Sequence, residues 1–436
     1  MSTRTAWRSV TVSLLVLALP WMSARAGDAP PFDTVFERRV LRLDLLFEGD
    51  RDSTRVSVVR LVEEPHLPFN TRRCIDPSEL GSFQVQVHER VGGERGRLVY
   101  SRGFCPFFTE WKVSPLARTE TRELEGSLRV PLPRTPVVIS LHERDEENRF
   151  VEILAHEFEP GRSRVTRISS DLPVSILYRG GEEDRCVDLL FMSDGFTRRE
   201  EKSYREAIES FTRALLEAEP FSRHRSRINV RSIFVPSKES GVDRPSERRA
   251  RDTVFDLGFG ALGVERYLMT EVDRKWRDIA AAAPYEIVCL IANTEEFGGG
   301  GLYDNYCTVS LSPGSHLVFL HEVGHLLAGL ADEYVDTGSG FHEYYRLDRE
   351  PWEPNLTVSS GADGLKWSRL LTPGIPVPTP STSEFAGKVG LFEGGGYRTR
   401  GLYRPALDCM MRSGRGGFCA VCQEAIEAAI ERAVGG

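Results

Sequence analysis

Two kinds of hydrophobic patterning divide the chain. From Val35 to Phe158 apolar and polar positions alternate. Leu41, Leu43 and Leu45 are interleaved with Arg42 and Asp44, and Phe83-Gln84-Val85-Gln86-Val87 and Leu128 to Leu132 repeat the period. Successive side chains of a strand point to opposite faces, so this alternation predicts strands with one apolar face. Val137-Val138-Ile139 adds a compact apolar run, proline and glycine-rich turns separate the pieces, and no long helical period occurs. Residues 35–158 are therefore expected to form an N-terminal antiparallel β-sandwich. That domain carries no catalytic constellation. Its expected work is binding of a substrate or surface, or docking on the rest of the chain.

Residues 159–184 are polar and read as a connector. Beyond them, in residues 185–436, short buried strands alternate with helical patterns, which predicts an α/β domain. The strands are read at Val187–Met192, Ile228–Val235 and Glu286–Ala292. Thr197 and Glu200 form a capping box that opens a helix running to about Glu217. A further helix is expected over roughly Val264 to Ala282. Gly298-Gly299-Gly300-Gly301 precedes an expected edge strand at Tyr306–Ser310. Pro351 to Pro380 is loop-rich, and a closing helix is expected over Cys419–Val434, with Val421, Ala425, Ile426, Ala429 and Ile430 on one stripe.

One stretch carries chemistry. Leu320-His321-Glu322-Val323-Gly324-His325 contains the H-E-x-x-H pattern. Residues four apart on a helix share a face, so His321 and His325 can present imidazole nitrogens to one metal ion. Glu322 then stands beside the metal, where it can take a proton from an activated water. The chain supplies its own control, because His88, His142, His156 and His342 are also followed by Glu and none has a His four residues on. Ser312-Pro313-Gly314-Ser315 supplies turn chemistry before this helix, and Gly329 ends it.

Composition adds compartment more than chemistry. The 436 residues suffice for two or three domains, and a net charge of −8 with mixed signs argues against a nucleic-acid partner. Arg4 and Arg8, the apolar run Val10–Leu19 and Ala24-Arg25-Ala26 read as a signal peptide over residues 1–26, cut before Gly27. The run is too short to span a membrane, and no other stretch is long enough, so a secreted or periplasmic protein without a stable membrane span is expected. Eight cysteines fit an oxidising compartment. Cys74 and Cys105 are read as one disulfide, and Cys409 with Cys419 or Cys422 as another. The C-x-x-C run Cys419–Cys422 also admits a redox role, or half of a second zinc site with Cys409.

Several segments together resemble the M64 family, bacterial metallopeptidases named for an IgA-cleaving member. They are His321 to Tyr334, Gly298 to Tyr303, Tyr403-Arg404-Pro405 to Cys409-Met410-Met411, Phe418 to Cys422, Phe191 to Phe196 and Pro236 to Asp243. Residues 35–158 are similar to that family's N-terminal β-domain. The resemblance implies a multidomain protein with a metzincin-like α/β zincin catalytic domain, a Zn2+ cofactor, and protein or peptide substrates hydrolysed by a zinc metalloendopeptidase. It implies a methionine turn under the metal at Met411, with Met410 as the fallback. The metzincin pattern puts a third ligand at Ala331, which has no donor atom. Asp332 is the expected ligand and Glu333 its rival. On an unbroken helix Asp332 would lie about 10 Å beyond His325, so a turn at Gly329 must bring it back. The family's edge strand before the metal helix is expected to pair with extended substrate. Tyr303, Tyr334, Tyr397 and Tyr403 are the candidates for steadying an oxyanion. A retired zincin-fold binding protein is the alternative, disfavoured by the intact Glu322.

Overall fold

The computed structural model describes residues 31–169, 171–336 and 344–435, so the expected leader and His342 lie outside the described residues. The N-terminal region begins with α1 (Phe32–Val35), β1 (Phe36–Gly49), β2 (Thr54–Glu64), β3 (Phe83–Val91) and β4 (Glu94–Phe104). A short helix α2 (Phe107–Val113) follows, then β5 (Arg122–Pro133), β6 (Val137–Arg144), β7 (Phe150–Phe158) and β8 (Thr166–Arg167). Two four-stranded sheets result, ordered β5-β1-β2-β8 and β4-β3-β6-β7. The alternating positions Leu41, Leu43, Leu45 and Phe47 meet Val85 and Val87 in one core, with Phe47 edge-on to Phe83 at 5.6 Å.

The polar half of that alternation does not face water. Arg42 and Asp44 are fully buried. Arg42 donates to Asp44 and Glu64, each at 2.7 Å, and to Asp278 of the second domain. Arg129 donates to Glu64 at 2.9 Å and to the Tyr285 carbonyl at 2.8 Å. Buried charges are tolerated only when paired and hydrogen-bonded. The sandwich thus uses one face for its own core and a charged face for docking.

The second domain has a six-stranded mixed sheet. Its strands are β9 (Val174–Arg179), β10 (Val187–Asp194), β11 (Ile228–Ile233), β12 (Ile287–Ala292), β13 (Gly299–Gly301) and β14 (Tyr306–Val309), in the order β13-β14-β12-β10-β11-β9. The inner four are parallel, and β9 and β13 run antiparallel at the two edges. The helices are α3 (Glu201–Glu217), α4 (Asp273–Ala280), α5 (Ser315–Ala328), α6 (Met410–Ser413) and α7 (Ala420–Val434), with a hairpin of β15 (Phe392–Gly395) and β16 (Arg398–Arg404) before α6. Leu189 and Phe191 of β10 pack with α3, α5 and α7, while Leu190 and Met192 belong to the core shared with the sandwich. A strand buried on both faces reads as a continuous apolar run, as this one does.

Three expectations need correction. The stretch 159–184 is no inert connector, because β8 extends the sandwich and β9 extends the second sheet. The expected helix over Val264–Ala282 shortens to α4, since the segment before it makes isolated strand bridges to other segments, Tyr267 to Gly299 and Met269 to Gly258. The strand at Tyr306–Ser310 is not the sheet's edge. The glycine run itself forms the edge strand β13 and covers it. Glycine has poor strand propensity, so pattern reading passed over a strand that close packing requires.

Candidate metal centre and cleft

Helix α5 projects His321 and His325 from one face, with their Nε2 atoms 3.1 Å apart. The helix stops at Gly329, whose φ of +60° is left-handed, a conformation that side chains with a Cβ adopt rarely. The chain then doubles back. Asn355 fixes the return, accepting from the Ala331 amide at 2.7 Å and donating to the Ala331 carbonyl at 2.9 Å. Asp332 Oδ1 consequently lies 2.9 Å from His321 Nε2 and 3.3 Å from His325 Nε2.

The hydrogen bonds behind these groups define what they can do. His321 Nδ1 is 3.1 Å from the Met410 carbonyl, and His325 Nδ1 is 2.5 Å from the Leu330 carbonyl. A carbonyl only accepts, so each Nδ1 carries a proton and each ring turns its Nε2 inward, the atom that can offer a lone pair to a cation. Two lone pairs and a carboxylate facing one point repel unless positive charge sits between them, and this donor set suits a divalent metal. Burial draws His325 down, but the Asp332 charge outweighs it and lifts the group to about 9. Burial also works against Asp332, which His325 and His321 nevertheless hold well below the usual carboxylate range. The donors belong to protons here, and a cation can replace them.

Glu322 is buried, and burial lifts its carboxyl above the ordinary range. It lies against β13: a Cβ on Gly301 would stand 3.0 Å from Glu322 Oε2. Only glycine leaves that approach open. Met411 is fully buried beneath the helix, and its carbonyl accepts from the Glu333 amide at 2.8 Å. The Glu333 carboxylate points away from both histidines, toward Asn355 at 2.9 Å and Cys422 at 3.3 Å. Of the two rival carboxylates, the chain turn brings only Asp332 to His321 and His325.

The four tyrosines separate. Tyr397 donates to Asp332 Oδ2 at 2.5 Å. Tyr334 lies beside the His321 ring and faces Arg266, its hydroxyl 3.4 Å from that guanidinium. The Tyr303 hydroxyl is 3.5 Å from Arg432, and Tyr403 sits on β16 outside the cleft lining. A cleft of about 510 Å³ opens over these groups. The sandwich contributes Cys105 and Glu110 to its wall. Glu110, on α2, accepts from the Tyr344 hydroxyl at 3.3 Å, and burial pushes it up to about 7. Pattern reading missed Glu110 and Asn355. Neither sits in a motif, and both reach the site through contacts more than twenty residues away in sequence.

The cysteines are all free, which corrects the expected disulfides. Cys105 is buried and accepts from Ser82 rather than pairing with Cys74. Cys409 and Cys422 stand 3.7 Å apart, sulfur to sulfur.

Comparison with known proteins adds an independent line. The family model described as IgA Peptidase M64 matches residues 175–385 and 381–430, and that described as Peptidase M64 N-terminus matches residues 31–155. The first begins at β9, in keeping with the place of that strand in the second sheet. No curated protein matches the chain.

Proposed function

Because the chain belongs to the M64 family of metallopeptidases, we propose that it is an exported, zinc-dependent endopeptidase with a metzincin-like catalytic domain. The convergence of His321, His325 and Asp332 beside Glu322 carries this reading. The leader-like N-terminus, with Arg4 and Arg8 before Val10–Leu19, supports export.

His321 and His325 would hold the ion through Nε2, and Asp332 through a carboxylate oxygen. When bound, zinc supplies Lewis-acid chemistry, lowering the pKa of water toward about 7 and polarising a carbonyl. Glu322 accepts the proton of the attacking water and returns it to the leaving amine, a role its raised affinity for protons suits. The carbonyls of Met410 and Leu330 hold both imidazoles in the ligating tautomer. Tyr397 orients Asp332. Tyr334, beside the His321 ring with Arg266 at its hydroxyl, would steady the oxyanion. Met411 floors the site as the methionine turn. The β13 edge bounds the cleft beside Glu322, where an extended peptide can lie.

Chelation tests the cofactor. Treatment of the active protein with a zinc-selective chelator should abolish cleavage of unfolded casein, and zinc should restore it where calcium and magnesium do not. Cleavage that survives complete removal of metal would sink the reading.

A further inference from the structure

We propose that Glu333, Cys409, Cys419 and Cys422 form a second metal site, a closed tetrahedral zinc site of structural character behind the catalytic cleft. Their ligand atoms all lie within 4.8 Å of one another. The spacing is that of a shared ion. Two thiolates bound to tetrahedral zinc at about 2.3 Å each stand about 3.8 Å apart, whereas a disulfide requires about 2.05 Å. Cys409 and Cys422 are 3.7 Å apart. A thiolate and a carboxylate oxygen on one zinc ion stand about 3.5 Å apart by the same geometry. Cys422 Sγ and Glu333 Oε1 are 3.3 Å apart.

The surroundings point to a ligand as well. Glu333 is fully buried, and its Oε2 has no hydrogen-bond partner among the described residues. An uncompensated buried carboxylate is costly. The Cys419 amide donates to Cys409 Sγ at 3.3 Å, a bond that a thiolate accepts better than a thiol. Cys419 caps α7 and Cys422 lies in its first turn, where the helix N-terminus favours thiolates.

Pairing any two of the cysteines would leave the third thiol and Glu333 stranded in the same buried space, whereas one divalent cation uses all four groups. On binding, the protons held by the thiols and by the buried Glu333 carboxyl pass to solvent. Arg412 donates to the Glu333 carbonyl at 3.0 Å, which puts a guanidinium beside the negatively charged cluster. Such an ion would tie α7 and the Cys409–Met411 turn to Glu333, and so hold Asp332 and Met411 in place.

The test uses the full mature protein, purified without chelator, beside a His321→Ala/His325→Ala variant and a Cys419→Ser/Cys422→Ser variant. Zinc is counted by elemental analysis, and cobalt is then exchanged in. The parent should carry two zinc ions. The histidine variant should keep one, and its cobalt form should show thiolate charge-transfer absorption in the near ultraviolet. The cysteine variant should lose that absorption. The histidine variant isolates the cysteine cluster, so the result stands even where the cysteine variant does not fold. Loss of all zinc from a folded histidine variant would overturn the proposal. So would a disulfide among the three cysteines in peptide mass maps of the unreduced parent.

Discussion

Two neighbouring residues, Asp332 and Glu333, send their carboxylates to opposite sides of one chain segment. Asp332 joins His321 and His325 at the base of an open cleft, where the imidazoles keep 15% and 16% of their surface exposed. Glu333 joins three cysteines in the interior, and it is fully buried. The chemistry follows the burial. Neutral imidazoles and one carboxylate leave a position for water or substrate, whereas thiolates and a carboxylate fill a tetrahedron. The same turn builds both, and one residue's shift along it decides which environment a carboxylate enters.

The largest effect that can separate the two clusters is loss of one with retention of the other. His325→Ala should abolish casein cleavage while the protein stays folded and keeps the zinc held by the cysteine cluster, as read by elemental analysis and circular dichroism. Equal loss of metal from both clusters would mean that they act as a single unit.

A smaller change addresses the groups behind the ligands. Tyr397→Phe removes the hydrogen bond to Asp332 Oδ2 and leaves Glu333 untouched. Zinc affinity at the open site or activity should fall by about 10–100-fold, measured by chelator competition and initial rates. No change in either would make Tyr397 a packing residue.

The smallest effect comes from a carboxylate in neither cluster. Glu286 is buried at the junction of the domains, with Arg102 at 3.5 Å, and burial pushes it up to about 8 from the usual 4.5. The folded state keeps that proton while the unfolded chain loses it above about pH 4.5. Its stabilising contribution is therefore full below that value and lost as pH rises through 8. Urea titrations across this window should show stability falling in the parent and a flatter profile in Glu286→Gln. Parallel profiles would show that Glu286 ionises normally.

What sequence could reveal followed the range of the interactions. The H-E-x-x-H spacing needs only a helix, and Thr197 with Glu200 needs only a local cap, which the structure shows as a complete capping box. Asp332 required one more inference, a reversal at Gly329, and a left-handed glycine supplies it. The limits appear where distant segments meet. Glu110 reaches the cleft from the sandwich, and Arg42 pairs with Asp278 across the junction. The strand β13 was hidden because it consists of glycine, chosen for its approach to Glu322 and not for strand propensity. The cysteines misled because an even number behind a leader-like N-terminus suggests disulfides, while the spatial grouping of three with a carboxylate is a tertiary fact.

The most direct measurement compares the parent with Glu322→Gln on unfolded casein, with fragments read by mass spectrometry and bound zinc counted in both. The account predicts that the variant retains its zinc and that its cleavage falls by roughly 10²–10⁴-fold, the contribution of a general base. A variant that binds zinc and cuts casein as fast as the parent would contradict the role of Glu322 and the mechanism built on it.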